Sequence, residues 1–132
     1  MMSFLLINLM TETSIFQKII DGQIPCEKLH EDDFCIAFND ISAQAPVHYL
    51  VIPKKPIVSL YECVEKDVAL LGHLLFVGSK IAKSKNLKSW RTVINTGEES
   101  GQTVFHLHIH FLSGRKMNWP QVKTLERNIN GL

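Results

Sequence analysis

Three histidines alternate with apolar residues in the stretch His106-Leu107-His108-Ile109-His110-Phe111-Leu112. Successive side chains of a β-strand point to opposite faces of a sheet, so this pattern predicts one face of imidazoles and one apolar face. The apolar face can be buried in a core, which would hold neighbouring imidazoles about 6.6 Å apart on a rigid support. Packing alone rarely requires three titratable bases in a row, so the stretch indicates acid–base chemistry or a metal site.

The rest of the chain predicts an α+β fold. Apolar residues recur at three- and four-residue steps from Val64 to Lys85, which is typical of a long helix with a buried stripe. A short helix is expected from its capping residue Thr13 to Ile20. The predicted strands are Glu27–Glu31, Phe34–Asn39, His48–Pro53, Trp90–Asn95 and Thr103–Leu112. This order favours a five-stranded, mostly antiparallel sheet with the long and the short helix packed on it.

Length and composition limit the possible classes of protein. A chain of 132 residues fits one domain. The net charge of +1, with scattered Lys and Arg, argues against a nucleic-acid partner and against an anionic membrane surface. The three cysteines form no CxxC pair, and their odd number favours reduced thiols, so we expect a cytoplasmic protein.

The first ten residues form an apolar run from Met1 to Met10. The run is shorter than the roughly 20 residues that span a bilayer, and it lacks the basic region and cleavage site of a signal peptide. We therefore expect residues 1–12 to be a disordered extension, or an upstream start that precedes a true initiator at Met10. Residues 13–132 are expected to form a single domain with a C-terminal tail.

The histidine row can provide a nucleophile. A nucleophilic imidazole must be neutral, with one ring nitrogen free and the other held by a partner. His108 is the best placed, because imidazoles that can share protons flank it on both sides. A phosphorus centre is the expected target, since Gly101, Gln102 and Thr103 can donate hydrogen bonds to phosphate oxygens. Asn95, across the predicted hairpin, is a further neutral donor.

These residues and the segments around them resemble the histidine triad (HIT) family, whose signature is His-x-His-x-His with apolar residues between. The likeness extends from about Ile15 to Pro120 and is greatest for the nucleotide-binding Hint branch. The segments that carry it are Phe16–Pro25, Ala37–Ile41, Gln44–His48, Val51–Lys55, Leu71–His73, Gly101–His110 and Met117–Pro120.

The resemblance implies a purine nucleoside phosphoramidase, which cleaves the P–N bond between AMP or GMP and an amine. His108 would attack the α-phosphorus to form a covalent nucleotidyl-histidine, which water then hydrolyses. His110 and Thr103 would contact the phosphate and the departing amine, while His106 and His48 orient groups and relay protons. No metal or other cofactor would be required.

The resemblance also implies a nucleotide site and a homodimer whose two sheets continue into one. Asn95 and the amides of Gly101 and Gln102 would hold phosphate oxygens, and Asp40 would bind the ribose hydroxyls. Trp119 would reach the site of the partner copy. The purine slot would be walled by Ile15, Phe16, Ile19, Phe38, Asn39 and Ile41.

Several alternatives remain open at this point. The protein could be a non-catalytic nucleotide- or zinc-binding partner protein, or a dinucleoside polyphosphate hydrolase, a branch that shares the Gly-Gln-Thr before the triad. Zinc at the triad is the less favoured choice, because the outer two histidines would lie about 13 Å apart along a strand and no carboxylate cluster adjoins them. Outside the triad, His30 is expected at the surface, His73 on the helix, and Cys35 as an ordinary thiol.

Overall fold

A computed structural model of the chain describes residues 14–119 as two helices and five strands. In chain order they are α1 (Ile15–Ile20), β1 (Lys28–Glu31), β2 (Cys35–Asn39), β3 (Val47–Pro53), α2 (Val68–Ser84), β4 (Arg91–Val93) and β5 (Ile109–Ser113). The predicted α+β fold, a five-stranded antiparallel sheet with one long helix, is confirmed. The expected extension over residues 1–12 and the tail beyond residue 119 lie outside the described residues.

The strands are ordered β1-β2-β3-β5-β4, and every neighbouring pair is antiparallel. Strand β3 is central, because Leu50 pairs with Phe38 on one side and with His110 on the other. Strands β1 and β4 form the edges. The last histidine of the triad therefore sits in the interior of the sheet, where its backbone is paired on both sides.

Both faces of the sheet are buried, and each packs against one helix. Residues of β2 and β3 alternate between the two sides, which is why these strands read as nearly continuous apolar runs. The core on the α2 side contains Cys35, Ala37, Tyr49, Val51, Leu74, Val77, Ile81, Leu107, Ile109 and Phe111. The core on the α1 side is smaller and contains Phe16, Ile19, Ile36, Phe38, Leu50 and Ile52.

Gly78 allows α2 to approach β5 closely. A Cβ atom at this position would lie 1.9 Å from Cζ of Phe111, so no other residue fits without displacing that ring. The Tyr49 hydroxyl donates to the Gly78 carbonyl at 2.7 Å, and its ring stacks on Phe111 with centroids 5.2 Å apart. These contacts fix the position of Phe111 and hence of its neighbour His110.

Two helix starts differ from the sequence prediction. The cap of α1 is Ser14, whose hydroxyl accepts the N–H of Gln17 at 3.0 Å, whereas the predicted cap Thr13 lies outside the described residues. Helix α2 begins at Val68 rather than Val64, because the Asp67 carboxylate accepts the Val64 N–H at 2.9 Å and closes a 3₁₀ turn first. Within residues 14–119, no helix is long and apolar enough to cross a bilayer.

Candidate active site

The histidine stretch enters the sheet later than its sequence pattern predicts. Strand β5 begins at Ile109, so only His110 lies within it, and the predicted strand start at Thr103 is wrong. The preceding residues approach the sheet as irregular chain, in which the Leu107 N–H donates to the Ile57 carbonyl at 2.7 Å. Hydrogen bonds to distant parts of the chain thus replace the strand ladder over the first half of the stretch.

The alternation of sides persists despite the irregular backbone. Leu107, Ile109 and Phe111 are buried beneath α2. The rings of His106 and His108 instead contact Phe16 of α1, with centroids 6.3 and 5.0 Å away. The ring centroids of His108 and His110 are 5.0 Å apart, closer than the spacing of a regular strand. The imidazoles therefore gather on the α1 side of the sheet.

The hydrogen bond of His108 fixes its tautomer. Its Nδ1 lies 2.7 Å from the carbonyl oxygen of His106. A carbonyl can only accept, so Nδ1 carries the proton and Nε2 presents a lone pair. Within residues 14–119, no protein group donates to this Nε2. The arrangement leaves a neutral imidazole with one free basic nitrogen, which is the form a nucleophile requires.

A second set of hydrogen bonds orders His48 and His110. The backbone N–H of Gln44 donates to Nδ1 of His48 at 3.0 Å, so the neutral ring carries its proton on Nε2. That Nε2 lies 2.9 Å from Nδ1 of His110 and donates to it. His110 consequently carries its own proton on Nε2. The Asp40 carboxylate lies 3.3 Å from His48 Nε2, where it can stabilise positive charge on this pair.

His106 has a supporting position. Its Nε2 donates to the carbonyl of Pro53 at 2.8 Å, and the ring is almost fully buried. This bond ties the histidine stretch to the end of β3. The carbonyl of the same residue holds His108, so His106 orients its neighbour through both its ring and its backbone.

Burial keeps the histidines of the site neutral. It lowers the pKa of His108, and the hydrogen bond to His106 and the charge of Asp40 oppose the shift only in part. Burial likewise lowers the pKa of His48 and His106. For His110, burial and the neighbouring His108 and His48 together lower the pKa to about 4. At neutral pH these groups can therefore serve as bases, nucleophiles and neutral hydrogen-bond donors.

Residues predicted to wall the purine slot extend from the triad into the α1-side core. Phe16 lies edge-on to both Phe38 and His108, with centroids 5.7 and 5.0 Å away, and Ile19 is buried in the same core. The remaining predicted wall residues, Ile15, Asn39 and Ile41, are exposed, and Ile41 has 96% of its surface accessible. Three of the six predicted wall residues are thus buried in the α1-side core, and the other three are exposed.

The loop before the triad differs from the expectation that its amides hold phosphate. The N–H groups of Gly101 and Gln102 already donate to the carbonyls of Glu98 and Gly97, at 3.0 and 3.1 Å. The Gln102 side chain is 2% exposed and serves the loop, accepting from the Gly97 N–H and donating to the Val58 and Val104 carbonyls. Gln102 therefore shapes the loop, and in this conformation neither amide is available to a phosphate.

Asn95 and Thr103 keep their side chains available. Among residues 14–119, neither side chain has a hydrogen-bond partner. Asn95 lies about 3.7 Å from where a Cβ of Gly101 would stand, and the positive φ of 105° at that glycine suits a residue without a side chain.

Trp119 is exposed over the guanidinium of Arg91, 5.8 Å from it, at the β4 edge of the sheet.

Among residues 14–119, two groups of side chains could hold a metal ion. One is part of the triad site, where donor atoms of Asp40, His48 and His110 lie within 4.8 Å of one another. The sequence argument, that no carboxylate cluster adjoins the triad, did not foresee the single carboxylate of Asp40 beside His48 and His110. The other group contains His30, Asp32 and Cys35 and lies where the β1–β2 turn meets α2. Sequence reasoning missed this second group, although the spacing His-x-Asp-x-x-Cys was visible.

Comparisons with known proteins agree on the family. The family model described as "Scavenger mRNA decapping enzyme C-term binding" matches residues 13–124. A HIT-like protein of Synechococcus elongatus is 54% identical over 112 residues, which are 84% of this chain and 98% of that protein. The chain belongs to the histidine triad family.

Solved structures of this family have the same fold. A HIT family hydrolase from Legionella pneumophila superposes with a TM-score of 0.80 at 39% identity and covers 83% of this chain and 100% of its own. A histidine triad protein from Clostridium difficile gives 0.75 at 43% identity, over 79% of this chain and 92% of its own. The Hint branch rests on the sequence resemblance alone.

Proposed function

We propose that this HIT protein is a nucleotide hydrolase that cleaves the P–N bond of purine nucleoside phosphoramidates through a covalent nucleotidyl-His108 intermediate. The observation that carries the proposal is the fixed tautomer of His108, with Nδ1–H held by the His106 carbonyl and Nε2 open. A buried, neutral and oriented imidazole is suited to attack phosphorus. The HIT family hydrolase from Legionella pneumophila supports a hydrolytic reaction.

In the first step, Nε2 of His108 attacks the α-phosphorus and the P–N bond breaks. The leaving amine takes one proton, which enters from solvent by way of Nε2–H of His110. The relay from His48 to Nδ1 of His110 keeps that proton on the side facing the substrate. Asp40, 3.3 Å from His48, stabilises the positive charge that passes through the pair.

In the second step, water attacks the phosphorus and the P–Nε2 bond breaks, which regenerates His108 and releases the nucleoside monophosphate. The proton lost by the attacking water returns through His110 to solvent. The proton gained by the leaving amine is matched by the proton lost by water, so the net reaction consumes one water molecule for each phosphoramidate cleaved.

Nucleotide binding is assigned to the groups around this centre. We propose that Asn95, Thr103 and Nε2–H of His110 donate to phosphate oxygens, since these donors have no partner within the described residues 14–119. The purine would contact Phe16 and the adjoining apolar residues, because its flat face suits aromatic and branched aliphatic side chains. The ribose hydroxyls would bind Asp40, whose Oδ1 accepts the Ser42 N–H at 2.8 Å.

A cytoplasmic homodimer is part of the proposal. Strand β4 is an edge strand of three residues, and Trp119 lies exposed beside it, where it could reach a second copy. The exposed side chains of Val68, Leu75 and Phe76 give α2 an apolar surface for the same contact. This surface and the edge position of β4 among the described strands support pairing of two sheets.

The test is turnover of a fluorogenic adenosine phosphoramidate by wild type and by His108→Asn, each with and without a chelator. We expect wild-type turnover that the chelator does not change, and a loss of at least about a thousandfold in the variant. AMP affinity, measured by calorimetry, should stay within a few-fold, because the slot is unaltered. Normal turnover in His108→Asn would contradict the nucleophile assignment.

The measurement with chelator tests a second candidate function, metal binding at the triad site. Donor atoms of Asp40, His48 and His110 lie close enough for a metal ion, which favours a metal-binding protein as the alternative. Turnover abolished by chelator, or absence of turnover together with tight zinc binding at these residues, would favour that alternative over the histidine nucleophile.

A further inference from the structure

We propose that His30, Asp32, Cys35 and His73 form a binding site for a zinc-type divalent cation, separate from the triad. His30 and Asp32 lie at the end of β1 and in the turn after it, Cys35 starts β2, and His73 belongs to α2. Four side chains from three elements converge here, and none of them takes part in the proposed reaction.

The convergence centres on one oxygen atom, Oδ2 of Asp32. His30 Nε2 lies 2.8 Å from it, His73 Nε2 lies 2.7 Å from it, and the Cys35 thiol lies 3.7 Å from it. Each of these three groups donates a proton to the oxygen in the metal-free protein. On metal binding the thiol can lose its proton, and each neutral imidazole can carry its proton on Nδ1 instead, which frees Nε2. Imidazole nitrogen, thiolate and carboxylate oxygen are the ligands that zinc prefers.

Donor atoms of His30, Asp32 and Cys35 lie within 4.8 Å of one another, whereas His73 approaches this group through Asp32 and would have to move closer to the other two ligands. Measured from Oδ2 of Asp32, the distances are close to those of a tetrahedral ion. Bonds of about 2.0 to 2.3 Å to zinc place neighbouring ligand atoms roughly 3.3 to 3.8 Å apart. The two imidazole nitrogens would therefore move away from the carboxylate oxygen by about 0.5 Å, whereas the sulfur is already at a suitable distance. Two neutral imidazoles, one carboxylate and one thiolate would balance the charge of a divalent ion, and the thiol proton of Cys35 would leave to solvent.

Backbone hydrogen bonds prepare the carboxylate for this role. Oδ1 of Asp32 accepts the N–H groups of Phe34 and Cys35 at 2.7 and 2.9 Å, which orients Oδ2 towards the histidines. Burial raises the pKa of Asp32, but the hydrogen bonds outweigh burial and hold this pKa well below its usual range. The Phe34 ring packs edge-on to His73 at 5.8 Å and restrains that imidazole.

The position also allows access for an ion. His30, Asp32 and His73 are partly exposed, with side-chain accessibilities of 23, 27 and 35%. Cys35 is fully buried behind them and would supply the inner ligand. A cation could thus enter from the surface side, past the two imidazoles, and reach the sulfur last.

The experiment is titration of the untagged full chain with Zn²⁺ and with Co²⁺. We expect one Zn²⁺ per chain at this site by calorimetry, with affinity falling at least tenfold in His30→Gln and in His73→Gln. Bound Co²⁺ should show a thiolate-to-metal charge-transfer band that Cys35→Ala removes. The matched control is His48→Gln combined with His110→Gln, which removes the triad donors and should leave this binding intact.

Two results would overturn the proposal. The first is no stoichiometric Zn²⁺ binding by wild type, which would leave the group as two histidines clamped on one carboxylate. The second is binding that the triad double variant abolishes and His30→Gln retains, or bound Co²⁺ without a thiolate band. Circular dichroism of each variant shows whether it is folded, and the wild-type cobalt spectrum tests the site without any substitution.

Discussion

Two groups of histidines lie on opposite sides of one sheet, and they differ in what holds them. On the α1 side, His108 is held by a backbone carbonyl, and His110 is held by another imidazole. On the α2 side, His30 and His73 both donate to one carboxylate oxygen. Burial keeps the first group uncharged and basic, although the Asp40 carboxylate lies 3.3 Å from His48. In the second group two histidines share one carboxylate oxygen, which is why we propose that group as metal ligands. The partner atom, rather than the residue type, decides the chemistry of an imidazole.

The largest difference in kcat is expected when one histidine of each group is changed to glutamine. We expect His110→Gln to lower kcat on the adenosine phosphoramidate by at least a hundredfold, because the proton donor that serves the leaving amine is lost. His30→Gln, the matched change on the α2 side, should leave kcat within about twofold. Steady-state kinetics of both variants make the measurement, and similar losses in the two would contradict the division of roles.

The close contact between α2 and β5, at Gly78 and Phe111, can be tested by its effect on stability. Gly78→Ala should lower the free energy of unfolding by about 1 to 3 kcal/mol, because its Cβ would overlap the Phe111 ring next to His110. Thermal and denaturant unfolding provide the measurement. Gly72→Ala, in the same helix with no atom within 4 Å of the added Cβ, is the control and should be neutral or stabilising. Equal destabilisation by both changes would show that close helix–strand packing is not the cause.

A smaller difference in kcat is expected when Asp40 and Asp32 are each changed to asparagine. Asp40→Asn should lower kcat by about tenfold, because the charge beside His48 is removed while the shape is kept. Asp32→Asn should leave kcat within about twofold, since its Oδ1 can still accept the two backbone N–H groups that shape the turn. Its effect is expected on Zn²⁺ affinity instead. A larger kinetic effect of Asp32→Asn than of Asp40→Asn would contradict the comparison.

The smallest expected effect is the pH dependence of kcat/KM between pH 7 and 6. An ordinary histidine of pKa near 6.5 would lose about threefold of its neutral form over this interval. Burial lowers the pKa of His108, and burial with its neighbours lowers that of His110 to about 4, so we expect a smaller loss. Activity should decline only at lower pH, and a full threefold loss above pH 6 would show that the triad titrates normally.

The same pKa shifts predict how stability depends on pH. The unfolded chain binds a proton at each histidine near pH 6.5, whereas the folded chain resists protonation at His110 until about pH 4. The free energy of unfolding should therefore be highest above pH 6.5 and fall towards pH 4, by up to about 1.4 kcal/mol per pH unit for each such histidine. Urea unfolding at several pH values measures this slope.

Much of the fold could be predicted from the sequence, because apolar periodicity reflects burial directly. The strands of the sheet and the long helix were recognisable from their two- and three-to-four-residue repeats. The start of β5 could not be predicted in this way. Before it, hydrogen bonds from the His106 ring and the Gln102 side chain to distant carbonyls hold the chain in place of strand pairing. Such tertiary hydrogen bonds leave no period in a sequence.

The candidate functional residues could likewise be predicted from the sequence only in part. The alternation around His108 indicated a nucleophile, and the family resemblance extended it to Asp40 and the slot residues, which remain predictions. Asp32 and His73 lie 41 positions apart, so no local pattern could join them. Their contact depends on how α2 packs on the sheet, which only the three-dimensional structure reveals.

A nucleophilic role of His108 is tested by trapping the covalent nucleotidyl-histidine intermediate. Wild-type protein is mixed with excess adenosine phosphoramidate, quenched in alkali within the first turnover, and analysed by peptide mass spectrometry. We expect one adenylyl group on the peptide that contains His108, localised to that residue and absent from His108→Asn. An adenylyl group on another residue, or wild-type turnover by His108→Asn, would contradict it.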